Sequence, residues 1–272
     1  MTTDMTPPLL SLDDLSVGFT RYTGVARTRT VTGVTSLSLD IAPGEILAVI
    51  GASGSGKTLL AQAILGILPA NATVSGRITF DGTPLDERRL RKLRGREISY
   101  IPQSVNNLDP LMTVGKQVRI GLDPPTAREW QRALFSRYGL ADDVARRYPF
   151  QLSGGMLRRV LFATSVRDTV RLVIADEPTP GLHADAVAEV LRHLRELAEG
   201  GASVLLITHD IFAATAIARR VAVMHEGALR TVEAASAFTG DGDDLEHPFA
   251  RALWRALPQN QFSPGSEPWR SS

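Results

Sequence analysis

The segment Gly51-Ala52-Ser53-Gly54-Ser55-Gly56-Lys57-Thr58 has the residue types and spacing of a phosphate cradle. Gly51, Gly54 and Gly56 let the backbone wrap tightly enough for successive N–H groups to face phosphate oxygens. A helix starting near Lys57 would add the positive end of its dipole. Lys57 can reach β- and γ-phosphates, and the Thr58 hydroxyl can ligate Mg²⁺. A chance glycine-rich turn is the alternative. It does not explain why the loop stands between an apolar run, Ile46 to Ile50, and a helical pattern. The loop signals nucleotide binding without choosing among the proteins that use it.

A second group of chemical residues follows the apolar run Leu172-Val173-Ile174-Ala175. Asp176 and Glu177 are consecutive carboxylates, and consecutive residues leave a strand on opposite sides. That arrangement suits two tasks, Asp176 holding a Mg²⁺ shell and Glu177 reaching an attacking water. A solvated strand end is the common reading of an acidic pair. The wholly apolar strand before it and the phosphate loop upstream favour catalysis.

These residues need a scaffold of alternating strands and helices. Thr35 to Ile41 alternates, with Leu37, Leu39 and Ile41 on one face and Ser36, Ser38 and Asp40 on the other. Short apolar runs at 46–50, 98–101, 172–175 and 203–207 read as buried strands. Leu60, Ile64, Ile67 and Leu68 share one face of a helix after the loop, and Ala184 to Leu197 reads as another helix. Val221 to Met224 and Leu229 to Val232, joined through Glu226-Gly227, read as a hairpin. The pattern implies an α/β fold with a mainly parallel core sheet and antiparallel strands at the front. From about 104 to 165 helix formers, Asn, Asp and Pro dominate, which reads as a helical subdomain inserted into a domain spanning 9–258. Residues 1–8 and 259–272 are polar and read as disordered ends.

Bulk properties exclude several classes. The net charge of +1 gives no call for nucleic acid or an acidic lipid surface. The basic run Arg88 to Arg94 reads as a solvated helix face with Leu90 and Leu93 turned inward. The absence of cysteine rules out disulfides and thiolate metal sites and fits a reducing compartment. No stretch approaches the roughly 18 unbroken apolar residues of a membrane span, and the first residues do not read as a signal peptide.

Leu152-Ser153-Gly154-Gly155-Met156 resembles the signature of ATP-binding-cassette (ABC) proteins. It falls between the phosphate loop and the acidic strand, towards the end of the helical insert. Gln103 after Ile101-Pro102 resembles the family's Q-loop glutamine, and His209 in Ile207-Thr208-His209-Asp210 its switch histidine. Phe19 resembles the aromatic that stacks on adenine, with Tyr22 as a rival and a core aromatic as the plain alternative. The resemblance runs from about Leu10 to Pro258 and implies a P-loop NTPase cassette with an antiparallel β subdomain and a helical subdomain. It also implies an ATPase using Mg²⁺, in which two cassettes pair head to tail. Each ATP then lies between one subunit's residues 51–58 and the other's Ser153, Gly154 and Gly155. Thr58, Gln103 and Asp176 would serve the metal, and Glu177 would polarise the water. His209 would hold the γ-phosphate, and Gln103 would relay to the membrane subunits.

Two positions depart from the family pattern. Met156 replaces the signature's final glutamine. His183, in Thr179-Pro180-Gly181-Leu182-His183, stands where the family carries an aspartate, which bears on cross-talk between the two ATP sites. The stretch Tyr148-Pro149-Phe150-Gln151 before the signature, Ile67-Leu68-Pro69 and His247-Pro248-Phe249 resemble the ATPases of peptide and nickel importers. The lack of cysteine towards the end leans to the nickel or metal-chelate branch. This resemblance implies a different cassette as heterodimer partner and two transmembrane permease subunits. An extracytoplasmic solute-binding protein would act indirectly, and the chain would sit peripherally on the cytoplasmic face of the membrane. A soluble ABC ATPase acting on nucleic acid or ribosomes is the alternative. No sustained heptads for a long coiled coil are present to favour it.

Overall fold

The computed structural model describes residues 7–22, 28–165 and 167–257, so the ends read as disordered lie largely outside the described residues. Two sheets organise these residues. The first is antiparallel, ordered β2-β1-β4-β5, from β1 (Leu10–Tyr22), β2 (Thr28–Ile41), β4 (Ala72–Phe80) and β5 (Thr83–Pro84). Its register pairs Leu10 with Ile41 and Leu12 with Leu39, which places the apolar half of each alternation on one side. Leu37, Leu39 and Ile41 are buried and Ser36, Ser38 and Asp40 exposed.

The second sheet has six strands, ordered β10-β9-β3-β8-β7-β6. They are β3 (Ile46–Ile50), β6 (Ile98–Ile101), β7 (Leu172–Asp176), β8 (Ser203–Thr208), β9 (Arg220–His225) and β10 (Ala228–Ala234). Strands β3, β6, β7, β8 and β9 run parallel, and β10 closes the edge as an antiparallel hairpin with β9. Strands β3, β7 and β8 are buried along their full length. That explains why they read as continuous apolar runs rather than as alternations: both faces of a parallel sheet are covered.

Two cores result. One packs the antiparallel sheet and α1 (Lys57–Leu65) against one face of the parallel sheet, with Leu15, Leu37, Leu60, Ile64 and Phe80 fully buried. The other joins the opposite face to the helical elements. Those are α3 (Val114–Val118), α4 (Pro124–Arg137), α5 (Gly154–Ser165) and α6 (Ala184–Glu199), followed by α7 (Ile211–Ile217) and α8 (Pro248–Arg255). Between β6 and β7 the described residues form helices, turns and loops without a strand. The basic run forms α2 (Glu87–Leu93), capped by the Asp86 carboxylate on the Arg89 N–H at 2.7 Å, with Leu90 and Leu93 buried.

One expectation is corrected. Helix α1 stops at Leu65, because Gly66 takes a left-handed conformation (φ 61°) and its N–H turns back to Ala63 O and Gln62 O. Ile67 and Leu68 therefore lie beyond the helix instead of continuing its buried face.

Candidate functional site

The loop 51–56 leaves the C-terminal end of β3 and feeds α1, and its glycines answer to space. A Cβ at Gly51 would come 2.3 Å from Met224 O, and one at Gly56 2.5 Å from Gly33 O. Gly56 also has φ 95°, in the left-handed region that favours glycine. At Gly51 and Gly56 the backbone is thus pressed against β9 and β2 with no room for a side chain, whereas Gly54 (φ 80°) has open space around it. Helix α1 has no side-chain cap and no acidic residue in its first turn, so its N-terminal N–H groups are free to meet an anion. Lys57 is buried and curls over this turn, with Nζ donating to Gly51 O at 2.7 Å and Ala52 O at 3.1 Å. Burial pushes its pKa down, against the pull of Glu177 and Asp176.

Asp176 ends β7 directly across from this helix. Its Oδ1 accepts from Thr58 Oγ1 at 3.3 Å and its Oδ2 from Tyr100 OH at 3.2 Å. Burial raises the Asp176 pKa, while these two hydrogen bonds oppose the rise. Tyr100 is pushed up in turn, by burial and by the Asp176 charge. Glu177 then turns the chain with φ 46°, a conformation costly for a residue with a side chain. Its N–H donates to Ile207 O at 2.8 Å, which ties the turn to β8. The turn brings Glu177 Oε2 within 2.9 Å of Nδ1 of His209, which follows β8. His209 is 62% exposed at its side chain, so it stands at the rim while Glu177 lies beneath.

Ala52, Ser53, Gly54, Gly56, Lys57, Thr58, Gln103, Glu177 and His209 thereby line one cavity of about 620 Å³. Gln103 arrives from the turn after β6, which β8 and β7 separate from β3 in the sheet order. Ser55 is buried beneath the loop. The arrangement can hold an extended polyphosphate: N–H donors and Lys57 on one wall, and a carboxylate–imidazole pair opposite. The Thr58 hydroxyl and Asp176 carboxylate are hard oxygen donors already in contact, which fits a Mg²⁺ shared with phosphate oxygens. No group of three or more His, Cys, Asp or Glu among the described residues could hold a metal alone, so such an ion would come with its phosphates.

Other residues singled out in the sequence lie elsewhere. Ser153, Gly154 and Gly155 open α5, are exposed, and are not among the cavity's lining residues. Met156 N–H donates to Ser153 Oγ at 3.3 Å, and the Met156 side chain packs against the core. Phe19 is half-buried on β1. Its ring edge sits 3.5 Å from the Cβ position of Gly33, next to Leu59, which does line the cavity. The side chain of its rival Tyr22 lies outside the described residues. His183 occupies the N-cap of α6 and makes no capping hydrogen bond.

Sequence reasoning missed Tyr100, whose hydroxyl completes the Asp176 environment. A tyrosine in an apolar strand carries no signal until the pairing of β6 with β7 puts Tyr100 opposite Ile174, two residues from Asp176.

With this geometry in place, comparison with known proteins is informative. Residues 34–180 match the family described as ABC transporter. A peptidoglycan transport ATP-binding protein of Agrobacterium fabrum is 37% identical over 94% of this chain, which spans about half (48%) of that relative's length. A dipeptide transport ATP-binding protein of Bacillus subtilis is 34% identical, over 92% of this chain and 77% of its own length. Among solved structures, the dimeric ATP-binding cassette MJ0796, in a post-hydrolysis state bound to ADP and Pi, superposes with a TM-score of 0.71 at 26% identity. The match covers 83% of this chain and 98% of that one. A matching family, relatives above 30% identity and a shared two-sheet architecture agree: this chain belongs to the ABC transporter family and is one of its ATP-hydrolysing cassettes.

Proposed function

We propose that this chain energises an importer of peptides, lending its loop 51–58 to one ATP and its signature to another held by a second cassette. One observation carries the reading. Lys57, Thr58, Gln103, Glu177 and His209 surround a single cavity, while Ser153, Gly154 and Gly155 are exposed at the head of α5, away from it. A cassette built this way needs a second subunit, and the dimeric MJ0796 supports that need by analogy.

In this reading the backbone of 51–56 and the N-terminus of α1 bind the β- and γ-phosphates, with Lys57 turning from its carbonyl partners to the phosphate oxygens. Thr58 and Asp176 would hold Mg²⁺, which would supply positive charge to offset that of the phosphate oxygens, and Gln103 completes that end of the cavity. Glu177 takes a proton from the attacking water. His209 orients Glu177 through Nδ1 and leaves its other ring nitrogen for the γ-phosphate. The partner's signature closes over that phosphate. Positioning and charge account for the catalysis, with no covalent intermediate on the protein.

The permease pair would dock in an apolar groove of about 440 Å³ beside Gln103, walled by Leu65, Ile67, Pro102, Leu108 and Ile120. Ile67 is 45% and Ile120 57% exposed there, which supports a covering partner. No helix among the described residues is long and apolar enough to cross a membrane, so attachment to its cytoplasmic face would run through those subunits. The relatives named for dipeptide and peptidoglycan transport favour peptides over nickel or metal chelates as cargo. A solute-binding protein would choose among them.

The test is reconstitution with the neighbouring cassette and permeases. ATPase activity should be low for the isolated chain, rise on assembly, and drive uptake of labelled peptide into vesicles. Uptake of nickel chelate without peptide would reassign the cargo. Full turnover by a proven monomer, or activation by nucleic acid or ribosomes in place of permeases, would overturn the importer reading.

A further inference from the structure

Arg158 occupies the second turn of α5 and is 8% exposed. Its Nη1 donates to the backbone carbonyl of Gln103 at 3.1 Å, its Nε is buried without a partner, and it forms no ion pair among the described residues. Burial pushes its pKa down, unopposed. A buried guanidinium with a neutral carbonyl for company is a costly arrangement, and an apolar side chain would fill the space more cheaply. The position of the bond shows what the arginine does there. Gln103 reaches the ATP cavity, and its carbonyl is held from behind by the helix whose first residues are Gly154 and Gly155.

The other end of α5 is fastened separately. Ser99 Oγ donates to Ser165 O, and Ser165 Oγ, whose nearer acceptor is Leu161 O within the helix at 2.9 Å, also lies 3.1 Å from Tyr100 O, which fixes the C-terminal end of the helix to β6. Helix α5 is therefore hydrogen-bonded at its far end to β6 and, near the signature, to the turn at Gln103 through Arg158, while Arg159 beside it donates to Gly139 O at 3.1 Å. Arg158 also lines a small cavity of about 260 Å³ shared with Leu182, Asp185 and Glu189, at the start of α6.

We propose that Arg158 is a positioning residue that transmits displacement of Gln103 to the signature at the head of α5, linking the ATP held by this chain to the ATP its signature serves. This rests on the ATP-binding reading of the cavity. When Gln103 shifts on engaging the nucleotide, its carbonyl draws the guanidinium, and the first turns of α5 rotate about the fixed Ser99–Ser165 end. The unpartnered Nε leaves one hydrogen bond to be made in the shifted arrangement.

Hydrogen–deuterium exchange of the full chain tests this, in a Glu177→Gln background with Mg²⁺ and ATP, at a concentration where light scattering reports a monomer. In the parent, ATP should protect residues 51–58 and change exchange in both 101–107 and 150–157. Arg158→Met keeps the bulk and loses the donor. It should retain the first two responses and lose the third, with an unchanged melting temperature. Arg158→Lys, which keeps a donor, should restore part of the response at 150–157. The proposal is overturned if 150–157 responds equally in Arg158→Met, or does not respond in the parent. It is also overturned if Arg158→Met melts early and loses the response at 51–58, the mark of a structural role. Absent protection of 51–58 in the parent would instead sink the nucleotide reading itself.

Discussion

The N-termini of α1 and α5 are both built with glycines, and they are treated in opposite ways. That of α1 is folded inward, with Lys57 laid across it and Asp176 and Glu177 facing it from the parallel sheet. That of α5 is turned outward, with Ser153, Gly154 and Gly155 exposed and Ser153 Oγ accepting locally from Met156 N–H. The first is a site prepared within one chain, where donors, acceptors and charge are in place before substrate arrives. In the proposed reading the second is half of a contact whose other half lies on a different molecule. Chemistry and assembly are thus separated along the chain.

The sharpest way to break this contrast is Glu177→Gln. Shape and hydrogen-bonding reach are kept, but the proton acceptor is lost. Turnover should fall by about 10²–10⁴-fold, the usual worth of a positioned acid–base group. ATP binding should survive, and size-exclusion chromatography with the partner cassette, ATP and Mg²⁺ should show a stable dimer. Normal hydrolysis would move the search for the base to His209.

Lys57→Ala attacks the inward terminus at binding. Losing a charge-assisted hydrogen bond of about 1.5–3 kcal/mol should weaken ATP binding roughly 10- to 100-fold by calorimetry. Ser153→Ala should do the reverse, leaving this chain's own ATP affinity intact while lowering turnover at the partner's site. Equal loss of affinity in both variants would erase the distinction between the two termini.

A smaller effect is expected at His183. The N-cap of α6 lacks a side-chain acceptor, so His183→Asp should raise stability by about 1 kcal/mol in thermal melts. If His183 bears on cross-talk between the two ATP sites, the same variant should also alter the balance of ATP occupancy between them. No change in either measurement would mean the departure is neutral.

The smallest prediction concerns the packing behind the signature. His193 is buried against Tyr138 edge-to-face at 4.6 Å and near Phe162, with Arg192 Nη2 3.0 Å from its Nε2 and Glu189 and Glu196 nearby. Burial, helped by Arg192, depresses its pKa below the ordinary 6.5. The unfolded chain therefore takes up this proton first. The contribution of His193 is whole above pH 6.5 and lost as pH falls through that value towards the folded pKa. The melting temperature should drop across that interval, and less so in His193→Leu.

Much of the inward site was legible in the sequence because its residues fall within short, strongly patterned segments. A five-residue buried strand followed by glycines and Lys57-Thr58 announces itself, as does Asp176-Glu177 after four apolar residues. What could not be read depended on which strands become neighbours. Tyr100 matters only because β6 lies beside β7, and Arg158 only because α5 runs back past Gln103. The face assigned to Ile67 and Leu68 failed where apolar periodicity outvoted Gly66, whose left-handed turn ends α1. The short helix α7 was passed over although Asp210 caps it, accepting from Ala213 N–H at 3.0 Å. Seven residues are too few for periodicity to register.

The left-handed backbone at Glu177 sets two kinds of fitness against each other. Asparagine tolerates that conformation better than glutamate and would relieve the turn, but its shorter amide could not accept the water's proton. A screen for heat resistance and a screen for turnover would therefore select different residues at this one position. Thermostabilised variants of the cassette that drift here should come out as robust proteins that grip ATP and do not let it go.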